Sequence, residues 1–133
     1  EKIKSERFRL DNRKLDIEKL NSIASAVTGT HDFSSFSAPM PLHVSPVRSI
    51  YSSAFYSSYP FVIYKISGNG FLRKMVRSIT GTILDLYAEE KGREDFIEIM
   101  NSRNRSLAGT TAPARGLFLE SVIYRQERDG KNR

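Results

Sequence analysis

The sequence contains no cysteine, only two histidines and no long apolar run. Without cysteine there is no disulfide framework, which is compatible with the cytosol. His31 and His43 lie far apart and lack the spacing of metal ligands, so no structural zinc or other metal site is expected. A membrane span needs roughly 18–20 consecutive apolar residues, and neither such a run nor a signal peptide is present. These absences predict a cytoplasmic globular domain that does not enter a membrane.

The composition is that of one ordinary folded domain with an excess of positive charge. The chain has 133 residues, of which 39% are apolar and 27% charged, and its net charge is +6. Such a charge favours an anionic partner, nucleic acid first and anionic lipid second, although solubility alone also accounts for it. Residue 1 is glutamate and not methionine, from which we expect a piece of a longer polypeptide or a processed chain.

The hydrophobic pattern predicts an α+β domain, in which an antiparallel sheet carries helices on one face. We expect three parts along the chain: a charged entry strand or linker at 1–14, the folded domain at 15–124 and a charged tail at 125–133. Predicted helices lie at about 16–26, 71–87 and 93–101. Predicted strands lie at 47–55, 61–67 and 117–124, the first two forming a hairpin. The remaining segments at 30–37, 38–46 and 102–116 read as loops.

The predicted helix that begins at residue 71 has an unusual charge pattern. Its apolar side chains recur every four positions, as a core-facing helix requires: Phe71, Met75, Ile79 and Ile83. Arg73, Lys74 and Arg77 fall in its first two turns, where the helix dipole makes each cation unfavourable by about 0.3–1 kcal/mol. A bound anion would reverse the sign of that energy, while a solvated basic face is the alternative. Gly81 inside the helix indicates either a close backbone approach or a tolerated weak point.

Familiar catalytic and cofactor motifs find little support. The segment 68–70 supplies only the first half of a Gly-x-Gly-x-x-Gly pattern, and no phosphate-binding loop or Gly-x-Ser-x-Gly elbow occurs. Serines near His31 and Asp32 are a weak hint of a catalytic triad, but loop serines beside aspartate usually make local turn hydrogen bonds. His31 is more typical of a structural or RNA-contacting side chain than of a general base.

Three segments carry a family resemblance. They read GTHDFSSF at 29–36, GNGFLRKMVR at 68–77 and AGTTAPARGLFL at 108–119. In this order and spacing they resemble blocks in the C-terminal half of the TruA-type tRNA pseudouridine synthases, over about residues 15–124. The resemblance implies half of a pseudouridine synthase fold and a cofactor-independent isomerisation of uridine to pseudouridine in the anticodon arm of tRNA. It also implies tRNA as partner and pairing into a homodimer.

The resemblance places the nucleophile outside this chain. In the family an aspartate in an Arg-Thr-Asp-x-Gly-Val-His-like motif attacks, and a tyrosine of a later motif lies against the base; neither motif occurs here. Asp32, Asp85 and Asp95 do not stand in such a context. The arginine of the Met-Val-Arg triplet does map, and Arg77 is thereby implied to form an ion pair with the missing aspartate. We therefore expect the chain to be inactive alone and to work with its own N-terminal half.

Further site residues follow from the same resemblance and from the charge pattern. Arg73 and Lys74 are expected to face RNA phosphates. Additional RNA contacts are predicted for His31, Phe33 and Asn69. Leu117 is a candidate apolar wall of the base pocket, with an ordinary core position as the alternative. Phe33 and its neighbour Phe36 could instead plug the edge of the domain.

Two rival functions remain open from the sequence. One is a non-catalytic RNA-binding module that kept the scaffold and lost the chemistry. The other is a basic domain that docks on a protein or an anionic membrane through the face of Arg73, Lys74 and Arg77.

Overall fold

The computed structural model describes residues 2–11, 15–59, 61–112 and 117–124. The strands are β1 Lys2–Asp11, β2 Gly29–Asp32, β3 Val47–Ser58, β4 Phe61–Gly68 and β5 Leu117–Tyr124. The helices are α1 Ile17–Ala24, α2 Met75–Ala88 and α3 Arg93–Ser102, and short 3-10 turns occupy Ser25–Val27, Ser34–Phe36 and Arg105–Leu107. No helix in these ranges is long and apolar enough to span a bilayer.

The five strands form one antiparallel sheet in the order β2-β3-β4-β1-β5. The predicted α+β class, with an antiparallel sheet and helices on one face, is confirmed. Alternate residues of β4 point into the core against the helices, because successive strand side chains face opposite sides: Val62, Tyr64 and Ile66. The predicted hairpin is the β3–β4 pair, whose register runs from Ser58 opposite Phe61 to Ile50 opposite Gly68.

The charged N-terminal segment forms a strand in the interior of the sheet. Residues Lys2–Asp11 pair with β4 on one side and with β5 on the other. Ser5 and Glu6 are buried there, next to an irregularity in the pairing with β5. The predicted domain limits stay a prediction, and the proposed tail at 125–133 lies outside the described residues.

Two predicted boundaries are wrong for identifiable reasons. The segment 30–37 is not only a loop, because β2 pairs with β3 and a 3-10 turn follows it. The four residues of this edge strand contain no apolar alternation, so the sequence pattern does not indicate a strand there. Helix α2 begins at Met75 and not at residue 71, because Lys74 has a left-handed backbone with φ of 66°, which a right-handed helix cannot contain. Arg73 and Lys74 therefore precede the helix.

The core lies between the helices and the inner face of the sheet. Its largest fully buried side chains are Tyr64, Phe33, Phe36, Phe96, Leu20 and Ile23. Phe36 of the second 3-10 turn stacks on Phe96 of α3, with ring centroids 5.0 Å apart. Asp16 caps α1 by accepting a hydrogen bond from the Lys19 N–H, which satisfies one of the N–H groups left unpaired at a helix start.

Candidate functional site

A cleft of about 400 Å³ lies beside the start of α2 and is bounded by β1. Its wall combines two residues of β1, Lys4 and Glu6, with the consecutive residues 71–77. Four of these lining residues are cations and one is a carboxylate: Lys4, Arg73, Lys74, Arg77 and Glu6. The cleft therefore has the electrostatic character of an anion-binding site.

Arg77 is held in this cleft by a single backbone segment. Its Nε donates a hydrogen bond of 2.8 Å to the carbonyl oxygen of Ala112. The Arg77 carbonyl in turn accepts a hydrogen bond of 3.0 Å from the Ala112 N–H. Among the residues that the structure describes, none forms a hydrogen bond or ion pair with the terminal Nη atoms of Arg77. A fixed guanidinium with open terminal donors can bind an external carboxylate through two parallel hydrogen bonds.

The residues 108–112 that hold Arg77 are themselves fixed along α2. The Gly109 N–H donates to the Thr82 hydroxyl at 2.9 Å, and the Thr110 N–H donates to the Asp85 carboxylate at 2.8 Å. Arg77, Thr82 and Asp85 thus anchor one loop through successive turns of one helix. Gly81 lies between these anchors, and a Cβ there would overlap the Thr110 carbonyl. The close backbone approach predicted at Gly81 is confirmed.

Arg73 and Lys74 occupy a tight turn directly before α2. The Met75 N–H donates to the Leu72 carbonyl at 3.0 Å, and the Ala38 N–H donates to the Arg73 carbonyl at the same distance. Both cationic side chains are exposed. The turn thus presents two cations at the rim of the cleft, while Arg77 is partly buried within it. Their expected contact with phosphate stays a prediction.

Two side chains of β1 complete the cleft wall. Lys4 Nζ lies 3.4 Å from the Glu6 carboxylate and 5.4 Å from the centroid of the Phe71 ring. Burial raises the pKa of Glu6, and the nearby Lys4 only partly opposes that shift. Neither residue is among the site residues predicted from the sequence, because the charge pattern assigns 1–14 to an entry strand or linker at the border of the domain. Their spacing of two residues in a strand was the available signal, since such residues share one face.

The other predicted contacts are placed differently. His31 lies on β2, where its Nε2–H donates to the Thr28 carbonyl at 2.8 Å and its ring meets Phe33 edge-on. Neither His31 nor Phe33 lines the Arg77 cleft. The predicted stacking of Phe33 on RNA is wrong for this structure, because the ring is 0% exposed within the core. Its alternative as a plug of the domain is the observed arrangement.

The last two predicted site residues are Asn69, as an RNA contact, and Leu117, as a wall of the base pocket. Asn69 is exposed; its Oδ1 accepts from the Ser49 N–H at 3.0 Å and its own N–H donates to the Ser49 carbonyl at 2.9 Å. Leu117 opens β5 opposite Phe8 of β1. The side chain of Leu117 lies outside the described residues, so its role as a base-pocket wall stays a prediction.

The described residues form an α+β domain with a cleft in which a fixed arginine, Arg77, lies near three further cations. A family model described as tRNA pseudouridine synthase matches residues 23–125. The chain therefore belongs to the tRNA pseudouridine synthase family.

Individual relatives agree with this assignment. The chain is 42% identical over 112 residues to tRNA pseudouridine synthase A of Borrelia duttonii (strain Ly), covering 84% of this chain and 46% of that protein. It is 45% identical over 113 residues to the protein of the same name from Borreliella burgdorferi (strain ZS7), covering 85% of this chain and 46% of that protein. The chain thus spans about half the length of the curated relatives it matches.

Proposed function

We propose that this chain forms the C-terminal half of an enzyme that isomerises uridine to pseudouridine in the anticodon arm of tRNA. The observation that carries the proposal is the environment of Arg77. Its guanidinium is fixed through Nε by the Ala112 carbonyl, and among the described residues none binds its terminal donors, which lie in a cationic cleft. The names of the relatives, which refer to tRNA pseudouridine synthase, support the same reaction.

Arg77 would keep the catalytic carboxylate ionised. The nucleophilic aspartate expected from the family resemblance belongs to an N-terminal half, and its pocket must exclude part of the solvent around a flipped base. Desolvation raises a carboxyl pKa, whereas an adjacent cation lowers it. A guanidinium stays charged throughout the physiological pH range and can bind both carboxylate oxygens. The present chain supplies the cation only, so we expect it to be inactive alone.

The surrounding cations would bind the tRNA backbone. Arg73 and Lys74 project from the turn at the rim of the cleft, where RNA phosphates would approach as the uridine enters. Such contacts add affinity that depends on salt and not on sequence. Asn69, which follows β4, and His31, in β2, are proposed as further RNA contacts. A cytoplasmic homodimer completes the proposal.

The decisive experiment is Arg77→Ala in the full-length protein. We expect turnover of tRNA to be abolished while tRNA affinity falls little, because the arginine acts on the carboxylate and not on the backbone. Arg77→Lys should restore only part of the activity, since a lysine cannot bind both carboxylate oxygens as a planar fork does. Arg93→Ala is the matched control, because that exposed arginine contacts Ser25 at a distance from the cleft. A fully active Arg77→Ala protein would contradict the role of Arg77.

A tRNA-binding protein that is inactive even at full length would favour the non-catalytic module. Binding to anionic vesicles without binding to tRNA would favour the docking domain. Both outcomes can be read from one set of binding and turnover measurements on the wild-type protein.

A further inference from the structure

A second cleft of about 320 Å³ adjoins the Arg77 cleft. Its lining residues come from β1, from the start of β3 and from the turn after β4: Lys4, Arg48, Asn69, Gly70 and Phe71. Lys4 and Phe71 line both clefts. The two depressions are therefore neighbours that share one wall.

The side chain of Arg48, near the start of β3, is held by backbone carbonyls of residues that precede it. Its Nη1 donates hydrogen bonds of 2.7 Å to the carbonyls of Ser45 and Val47. These bonds fix the guanidinium, and within the described part of the chain no carboxylate is paired with it. A fixed guanidinium without a carboxylate partner is a preorganised donor for phosphate.

Asn69 adds a neutral donor beside Arg48. Its Oδ1 is occupied by the Ser49 N–H, and this bond assigns the orientation of the side-chain amide, because an N–H cannot donate to another donor. No described residue accepts from the Nδ2 group, which can therefore donate to a ligand. A neutral amide of this kind can bind a phosphate oxygen without changing the charge of the site.

The charge of the second cleft has one sign. Lys4 and Arg48 line it, and no acidic residue of the described chain does. Glu6, the ion-pair partner of Lys4, lines the Arg77 cleft instead. Two cations and an amide donor in a small depression favour a phosphate group over a carboxylate-rich protein surface or an apolar ligand.

We propose that the Lys4–Arg48–Asn69 cleft binds a backbone phosphate of the same RNA strand whose uridine enters the Arg77 cleft. The inference rests on the proposed function, and it adds Arg48 and Lys4 to the RNA-contacting residues. Phe71 forms the ridge between the clefts, with Lys4 over its ring. The strand would cross this ridge, so that one cleft receives the base and the other holds the backbone beside it.

The test is the salt dependence of tRNA binding by the full-length protein. Arg48→Gln should weaken binding about tenfold at low salt, and the slope of log K against log salt should fall by about 0.7–0.9 for the lost phosphate contact. Arg48→Lys should keep most of the slope, because it keeps the charge. Lys4→Gln tests the same cleft from β1, and its effect should resemble that of Arg48→Gln.

The matched controls are Lys19→Gln and Lys91→Gln, which remove the same charge in a groove between α1 and the end of α2. Slopes for Arg48→Gln and Lys4→Gln no different from these controls would overturn the second cleft as a phosphate site. Saturating tRNA should restore turnover in Arg48→Gln, because Arg48 lines only the second cleft, whereas Arg77→Ala should stay inactive. A wild-type protein that does not bind tRNA would overturn the proposed function itself, so the two failures are distinguishable. Urea midpoints unchanged from wild type verify that each variant is folded.

Discussion

The carbonyl oxygen of Thr110 occupies the space in which a Cβ of residue 81 would stand. Gly81 is therefore the point at which the loop 108–112 rests directly on α2. The same loop carries Ala112, whose backbone binds the side chain and the carbonyl of Arg77. The position of the arginine thus depends on a contact one helical turn away from it.

Gly81→Ala should destabilise the protein, although alanine is the better helix former. The substitution gains about 1 kcal/mol of helix propensity. It also displaces a loop held by hydrogen bonds to Arg77, Thr82 and Asp85, each worth about 1 kcal/mol. We expect a net loss of about 2 kcal/mol in the free energy of urea unfolding. Gly92→Ser is the control, because no heavy atom lies within 4 Å of a Cβ there and serine is a favourable N-cap; an equal loss in both variants would refute the explanation.

Asp85→Ala should lower kcat in the full-length enzyme without weakening tRNA binding. Its carboxylate accepts the Thr110 N–H at 2.8 Å, and losing that bond frees the loop that fixes Arg77. A misplacement of about 1 Å in such a group can cost up to about 100-fold in rate. Asp85→Asn should retain most activity, because an amide oxygen can still accept the bond. Single-turnover rates and filter-binding affinities separate the two effects, and equal activity of Asp85→Ala and wild type would argue against this positioning role.

Glu6→Gln should change how stability depends on pH. Because burial raises the pKa of Glu6 in the folded protein, the folded state holds the proton more tightly than the unfolded state. The stabilisation from this proton is complete below the ordinary glutamate pKa of about 4.3 and is lost as pH rises through the higher folded pKa. The advantage of Glu6→Gln in urea midpoint should therefore be greater at about pH 7 than at about pH 4. A constant difference between the two proteins would show that the carboxyl group does not titrate differently on folding.

Two adjacent serines of β3 provide a matched pair for a buried hydrogen-bond chain. Ser53 donates to the Ala24 carbonyl at 2.8 Å, so the buried Tyr64 hydroxyl must be the donor in its 2.7 Å contact with Ser53. Ser53→Ala removes the acceptor of the buried Tyr64 hydroxyl and should cost about 1–3 kcal/mol of unfolding free energy. Ser52→Ala removes only an exposed contact with Ser67 and should change stability by less than about 0.5 kcal/mol. Denaturant unfolding of both variants checks the contrast.

Lys74→Gly should lower tRNA affinity without much change in stability, because it removes the charge but keeps the turn before α2. Lys74 has a φ of 66°, a conformation that glycine adopts without strain and other residues do not. The relief of strain offsets the greater flexibility of glycine in the unfolded chain, so stability should change by less than about 1 kcal/mol. If the proposed phosphate contact exists, tRNA affinity should fall and its salt slope should flatten, as also expected for Arg73→Ala. Unaltered affinity would remove Lys74 from the interface.

The sequence predicts most of the regular elements, because they follow periodicity. The stripe through Met75, Ile79 and Ile83 specifies α2, and the alternation at 61–67 specifies a strand whose inner residues are in the core. The predicted start of α2 is wrong, because the sequence gives no indication that the backbone of Lys74 is left-handed. Strand β2 was missed since its four residues are polar and find their partners in β3 alone.

The site is predictable only where a motif marks it. Arg77 stands in a recognisable triplet, yet its bond to Ala112 joins residues 35 positions apart in the chain. Strand pairing brings Lys4 and Glu6 to the Arg77 cleft, and Lys4 and Arg48 to the second cleft. The local sequence pattern does not predict such pairing. Phe33 misled the prediction because an aromatic residue in a polar segment looks exposed, whereas its ring closes the core.

The position of β1 in the sheet bears on the order of folding. The β3–β4 hairpin can form as soon as its two strands exist, but β1 must pair with β4 and then with β5, where Lys2 meets Tyr124. Contacts so distant in sequence slow folding, because a long stretch of chain must be ordered before they form. Among the five described strands, β1 is synthesised well before its partner β5. Changes that weaken the β1–β5 pairing should appear first as slow refolding and aggregation of nascent chains.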